Sequence, residues 1–406
     1  MFIRGFKHVA LAGAAVVALG AGTASAQDVT IGFLGAITGP IANLVPPIVD
    51  AAQLAVDEVN AAGGILGGQT LDMVVGDTAC SAQQAVDAAT KVINVDQATA
   101  VVGALCSGAT IAAASSVAIP AGVVMVSPAS TSPEITNLDD GDLVFRTAPS
   151  DAYQGQVLAS HVMAQGIDTV ALTYINNDYG VGLSSSFRDA FVARGGTITA
   201  DQAHEPAKSS YRSELATLAT DGAETLVLIA YAGDSGLTML RQSLENGFFG
   251  TFVGADGMRD DVLIEQLGAE NLGGLIVTQP TSLPENPALG MFNTAFADAG
   301  GDPTSIFVAQ GYDSAMLIAL AIEHAGTTDR DAISASLRSV ANPPGVEVGP
   351  GDWAEAIALI AAGEEIDYTG AAGPHDFDDH GDVAGVIAEY LIEGDTFVEG
   401  EIITVE

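Results

Sequence analysis

Short runs of β-branched and apolar residues alternate with segments of helical periodicity along most of this 406-residue chain, and few folds admit that alternation. The first run is Val29 to Leu34, ending in Gly35; apolar residues at helical spacing follow over residues 48–61 and stop at Gly63-Gly64. Strands are then expected at 71–75, 100–103 and 123–126, with helices at 82–95 and 109–119 between them. A second series begins after Arg146: helix 151–165, strand 169–174, helix 182–194, strand 197–200, helix 211–219, strand 225–229, helix 235–246, and strands 251–254 and 274–278. Strands alternating with helices imply parallel sheets covered on both faces, so the expectation is an α/β chain with two doubly wound parallel-sheet lobes. From Asn286 to Gly363 the segments read mostly as helices without a sheet of their own, expected to pack on one of those lobes. Two strands, 383–392 and 396–405, close the chain.

Residues 1–26 are not expected to belong to the fold. Arg4 and Lys7 precede an apolar run from Val9 to Gly22, and Ala24-Ser25-Ala26 precedes Gln27, which are the parts of an export signal cleaved after Ala26. A membrane anchor needs about 20 apolar residues, and this run is shorter and broken by Gly13 and Gly20. No later stretch suits a span, so the mature chain is expected to be exported without membrane insertion. Acidic residues number 51 against 12 basic, a net charge of −39 that deepens to −41 once Arg4 and Lys7 leave. Such a field repels polyanions, which excludes nucleic acid and anionic surfaces as partners. Hydrophobic residues at 48% exclude a disordered acidic chain.

Export gives weight to Cys80 and Cys106, the only cysteines. An even pair in an oxidising compartment points to a bridge, worth roughly 3.5 kcal/mol in the chain-entropy picture. Both follow expected strand ends, which neighbouring parallel strands would bring together. A catalytic thiol needs a nearby base, and the closest histidine in sequence, His161, is distant.

Ligands of open α/β sheets bind beyond the carboxyl ends of strands, where helices begin. Two segments have that form: Gly103 to Thr110, containing Cys106 and Ser107, and Val126 to Pro133, containing Ala129, Ser130 and Thr131. Backbone N–H groups and the Ser107 and Thr131 hydroxyls would suit a carboxylate; the plainer reading is a helix cap and an ordinary turn. In the second series Tyr179, Tyr231 and Asp256 stand near strand ends. Turn and strand chemistry explains each singly, but together they outline an acidic, aromatic wall able to meet an ammonium. Residues 374–382, PHDFDDHGD, invite a metal reading and fail it, because position twelve of a calcium loop begun at Asp376 is Ile387. A polar turn accounts for them. No metal or cofactor is expected, and no GxSxG, P-loop, HExxH or dinucleotide fingerprint is present.

The ordered series Ile31-Gly32-Phe33-Leu34-Gly35, Thr38-Gly39-Pro40, Asn60 to Ile65, Asp77-Thr78-Ala79-Cys80, Leu105-Cys106-Ser107, Ser127 to Thr131, Asp178-Tyr179-Gly180 and Asp376-Phe377-Asp378 resembles the leucine/isoleucine/valine-binding proteins of bacterial ABC importers. The resemblance covers nearly the whole mature chain. It implies a type I periplasmic binding fold of two lobes, residues 27–147 with 281–372 and residues 148–280 with 373–406. The crossings would lie near Arg146 to Asp151, Val277 to Pro280 and Gly373 to Asp382. It further implies that Cys80 and Cys106 pair. Ser107 and Thr131, flanked by Cys106 and Ser130, would hold a ligand carboxylate, and the Ala129 carbonyl and Asp256, beside Tyr231, would hold its ammonium. Tyr179 and Phe307 would border the side-chain pocket. The partners implied are a small amino-acid-like ligand and a membrane permease, the state a periplasmic monomer, the activity non-enzymatic. Leu44, where relatives often carry an aromatic residue, and the short Asp256 leave the ligand's size open. A ligand sensor on the same fold, a binder of amides, urea or aromatic acids, and an exported hydrolase using Ser107 are the competing readings.

Overall fold

Residues 1–2 and 28–404 are described by a computed structural model. The expected export signal and the last residue of the expected 396–405 strand lie outside the described residues.

The first sheet is wholly parallel and contains β1 (Val29–Gly35), β2 (Leu71–Asp77), β3 (Ala100–Gly103), β4 (Val124–Ser127) and β5 (Val144–Arg146), in the order β2-β1-β3-β4-β5. β1, β3 and β4 are almost continuously apolar because helices cover both faces, whereas the edge strand β2 exposes Asp72 and Val75 and leaves Met73, Val74 and Asp77 half-buried. Helix Val45–Ala61 starts on Pro46 and Pro47, which need no N–H partner in a first turn, and buries Ile48, Ala51, Ala52, Ala55 and Val59 on one stripe. Against that stripe lies helix Val308–Ala325, most of whose residues are buried. The approach is close enough that a Cβ on Gly311 would come within 2.9 Å of the Ile48 side chain. Helices Arg330–Ala341 and Trp353–Ala362 pack on the same long helix, so the helical tail returns to the first sheet, as expected.

The second sheet contains β6 (Thr169–Ile175), β7 (Thr197–His204), β8 (Thr225–Ile229), β9 (Thr251–Gly254) and β10 (Leu275–Thr281), which are parallel. Three findings depart from expectation. The tail does have a sheet, formed by β11 (Val346–Val348), β12 (Ile366–Gly370) and β13 (Gly373–Pro374), whose strands are too short to show periodicity. The final strands β14 (Val386–Glu393) and β15 (Thr396–Ile403) extend the second sheet antiparallel, in the order β15-β14-β10-β9-β8-β6-β7. Helix Asp178–Ala193 starts four residues earlier than its apolar pattern, because the Asn177 side chain caps Gly180 N at 2.8 Å.

Cys80 and Cys106 are disulfide-bonded with Cα atoms 5.4 Å apart. Their strands are not neighbours, as first expected; β1 runs between β2 and β3, and the two loops curl over its end to meet.

The chain passes between the sheets after β5, after β10 and after β13. Arg146, at the first passage, is fully buried and spends its guanidinium on the third: Nε donates to Asp382 Oδ1 at 2.6 Å and Nη2 to Asp382 Oδ2 at 2.7 Å. Further donations reach the Ser132 carbonyl at 2.9 Å and Thr136 Oγ1 at 2.7 Å. The 374–382 segment is therefore hinge and turn: Asp378 Oδ1 caps His380 N and Asp382 N, and His375 Nε2 pairs with buried Asp313 at 2.9 Å. Among the described residues no cluster of His, Cys, Asp and Glu is placed to hold a metal. Removing one partner of a buried fork strands a charge, so Asp382→Ala is expected to cost about 3–5 kcal/mol in urea unfolding, against less than about 1 kcal/mol for removing exposed Arg212, whose pair with Glu245 lies at the surface.

Candidate functional site

The carboxyl ends of both sheets face one cleft, and the loops leaving them are built from small residues. After β3 the backbone turns at Gly103, where φ is +112° and a Cβ would collide with the Leu34 carbonyl at 2.4 Å. The next helix opens at Ser107, with Cys106 in extended conformation before it. Ser107 Oγ accepts from Ser132 N at 3.1 Å, so it ties the two first-lobe loops together instead of capping its own helix. After β4, Ser127 Oγ donates to the Ala104 carbonyl at 2.6 Å and accepts from Ser130 N at 3.0 Å. Ser130 turns inward, its hydroxyl 2.7 Å from Thr110 Oγ1 and 3.1 Å from the Ala104 carbonyl; it stiffens the loop. Thr131 Oγ1 donates to Asp151 Oδ2 at 2.9 Å, and Asp151 N donates to the Thr131 carbonyl at 2.8 Å.

The opposite wall comes from the second lobe. Asp256 follows β9 and is 5% exposed. Its Oδ1 accepts from Gln154 Nε2 at 3.0 Å and from Tyr179 OH at 3.2 Å, and the Tyr179 hydroxyl in turn accepts from Gly257 N at 3.2 Å. Tyr231 stacks on Tyr179 with ring centroids 5.1 Å apart and planes 13° from parallel. Burial pushes the Asp256 carboxyl up to about 6, although the Gln154 and Tyr179 hydrogen bonds oppose the shift. Burial first, and the neighbouring acids second, drive both tyrosines well above the ordinary phenol range, so their hydroxyls remain neutral donors.

Ser107, Ala129, Tyr179, Tyr231, Asp256 and Phe307 line one cavity with Ile41, Leu44, Ile48, Leu105, Gly257 and Ile306. Phe307 enters from the turn before the long tail helix, in left-handed conformation at φ 59°. Of the expected residues, Cys106, Ser130 and Thr131 stand behind this lining: Cys106 in the disulfide, Ser130 inside the loop, Thr131 against Asp151. Sequence reading missed Gln154 and Asp151. Both fall in a helix start whose Ser150 and Asp151 look like ordinary capping chemistry, and nothing local shows that the helix faces the cleft. The apolar lining from Ile41, Ile48, Leu105 and Ile306 is equally unmarked, since those residues read as core.

The enclosed space is about 30 Å³, room for little more than one water, so the lobes stand shut. Close approach across the seam depends on glycine: a Cβ on Gly233 would lie 2.3 Å from the Pro40 carbonyl, one on Gly182 2.7 Å from Pro133, and one on Gly108 2.4 Å from Asp178 Oδ2.

A family model described as "Periplasmic binding protein" matches residues 28–384. The leucine-, isoleucine-, valine-, threonine- and alanine-binding protein of Pseudomonas aeruginosa is 30% identical over 337 residues, 83% of this chain and 87% of that protein. Among solved structures, a leucine-binding protein from Thermotoga maritima superposes with TM-score 0.79 at 25% identity, covering 92% of this chain and 98% of that one. An R. palustris solute-binding protein in complex with benzoate shares the fold, with TM-score 0.76 at 18% identity over 93% of this chain and 96% of its own. These relatives are binding proteins, not enzymes.

The raised Asp256 carboxyl makes a stability prediction. An unfolded Asp titrates near 3.9, so between about pH 4 and 6 the folded protein holds the extra proton, and stability falls as pH rises through that window. Asp256→Asn is therefore expected to stabilise the ligand-free protein at pH 7 by roughly 2–3 kcal/mol and to change little at pH 4. Chemical denaturation at the two pH values measures it.

Proposed function

The chain belongs to the periplasmic binding protein family, and from that membership we propose that it is the extracytoplasmic solute-binding subunit of an ABC importer, closing on an amino acid of the branched-chain kind. The observation that carries this reading is Asp256, a carboxylate buried in the cleft with no protein cation beside it, held by Gln154 and Tyr179 on the wall opposite the Ser107 and Thr131 loops. A buried anion of this kind calls for a cation from the ligand.

In this proposal the ligand carboxylate lies against the first-lobe loops, meeting the Ser107 hydroxyl and the backbone N–H of Thr131. The Thr131 hydroxyl already donates its hydrogen bond to Asp151, so in this proposal its lone pairs, with the Ala129 carbonyl, accept from the ammonium. Asp256 supplies the counter-charge from the second lobe. Ile41, Leu44, Ile48, Leu105 and Phe307 receive an apolar side chain. Because the first-lobe loops and Asp256 hold the ligand from opposite walls, binding favours the shut state by contacts the open state lacks. Delivery to a permease, export across the inner membrane with cleavage after Ala26, and a monomeric state complete the proposal; among the described residues no helix is long and apolar enough to cross a membrane. The benzoate complex on this fold keeps an aromatic acid in view as the second ligand class.

Titration calorimetry with leucine, isoleucine, valine, alanine and benzoate separates the two. Micromolar binding of an aliphatic amino acid is expected, with Asp256→Ala weakening it at least a hundredfold, the scale of a stranded charge-assisted contact. Tight benzoate binding unaffected by Asp256→Ala, with no amino acid bound, overturns the reading.

A further inference from the structure

A second carboxylate lies buried behind the lining of the cleft, against Thr131. Asp151 is 0% exposed, and only one of its oxygens is satisfied: Oδ2 accepts from Thr131 Oγ1, whereas Oδ1 has no hydrogen-bond partner. It opens the helix Asp151–Ala164, and one turn on, Gln154 on the same helix clamps Asp256. The amide oxygen of Gln154 and the hydroxyl of Thr278, whose carbonyl also accepts from Gln154 Nε2, are likewise buried without partners. Two buried acids and two orphaned polar oxygens thus gather at the hinge end of the site.

Among the groups facing Asp151, only Arg146 supplies compensating charge. Thr131 approaches from the loop after β4, and Tyr179, Tyr231 and Asp256 from the second lobe, with Asp178 acting on Tyr231. Arg146, at the end of β5, is the one nearby cation, and its guanidinium is committed to Asp382, Thr136 and the Ser132 carbonyl. The start of its own helix favours the anion, but by far less than full burial beside a second carboxylate opposes it. Burial and then the Asp256 charge raise the Asp151 carboxyl well above the usual range. A neutral acid with one unpaired O–H is tolerable in such a place where an unpaired anion is not.

We propose that the Asp151–Asp256 pair carries one shared proton in the free protein, resident on Asp151, and gives it up to solvent when the ligand's ammonium enters between them. Binding is then an exchange of cations: the Asp151 O–H bond breaks, the proton leaves to buffer, and the carboxylate so formed becomes a second counter-charge for the ammonium. This rests on the amino-acid reading above. It makes the site selective for a full positive charge at that end of the ligand, because a hydroxyl or amide there leaves the proton in place. It also makes affinity depend on pH well above the range in which Asp256 alone titrates.

Calorimetry of leucine binding near pH 7.5, in phosphate and in Tris, tests the proposal, since the dependence of heat on buffer ionisation counts protons. The wild type is expected to release protons on binding leucine, with an affinity that rises with pH by at most about tenfold per pH unit. Asp151→Asn is expected to bind leucine more weakly with release near zero. Leucine binding with no proton release and a flat pH profile in the wild type overturns the proposal and leaves the amino-acid reading intact, and that comparison needs no variant to fold. Undiminished release in Asp151→Asn overturns it as well. Failure of every amino acid to bind overturns both readings together.

Discussion

The buried fork between Arg146 and Asp382 governs the rest of the molecule. It joins the first and third passages between the sheets, and its guanidinium also binds the Ser132 carbonyl and Thr136. The hinge and the ligand-facing loop are thus fastened by one side chain. In a chain with only 12 basic residues this has a second consequence. Arg146 is the one buried Arg or Lys among the described residues, and with it committed to the hinge the cleft acids have no cation of their own. The unmet charge at Asp256, and the raised carboxyl of Asp151 beside it, follow from where that arginine went.

The shut cleft brings backbone of one wall hard against the backbone or side chains of the other, and the residues at the seam show how. Gly108, Gly182 and Gly233 stand where a Cβ would overlap Asp178, Pro133 and the Pro40 carbonyl respectively. None of the three glycines has a positive φ, so glycine is needed there for room and not for an unusual backbone. Arg259 adds a polar link across the seam, donating from the second lobe to the Thr304 carbonyl at 2.8 Å. Such contacts exist only in the shut arrangement, and their strength sets how far the empty protein already populates it.

Much of the architecture was legible because buried parallel strands and amphipathic helices leave strong periodic marks. β1, β3, β4, β6, β8 and β9 fall where alternation put them. β5, β11 and β13 were not legible, since strands of two or three residues carry too little pattern, and β12, IDYTG, is as long as β8 but lacks its apolar run; β14 and β15 revealed themselves as strands but not as an antiparallel extension. Ser107, Tyr179, Tyr231 and Asp256 were expected from strand-end position and Ala129 and Phe307 from the family resemblance, and the six line one cavity. Asp151 and Gln154 were missed for a physical reason. Their side chains act across more than a hundred residues of sequence on Asp256, and local chemistry offers a sufficient account of each.

The chain's acidity and the site's acidity are separate matters. A zwitterionic amino acid has no net charge, so the long-range field of a −39 chain neither steers nor repels it, and salt screens that field within about 10 Å. Asp151 and Asp256 differ from the surface carboxylates only in having been taken out of water. Burial turns them from solvated charges into groups whose charged form is disfavoured, and the penalty grows where solvent is excluded. A surface acid moved by evolution would change solubility; either of these two changed to an amide would change what the closed cleft can hold. What sets the two acids apart from those at the surface is burial with little compensating charge: Arg146, the base that acts on Asp151, has its guanidinium committed to Asp382, Thr136 and the Ser132 carbonyl.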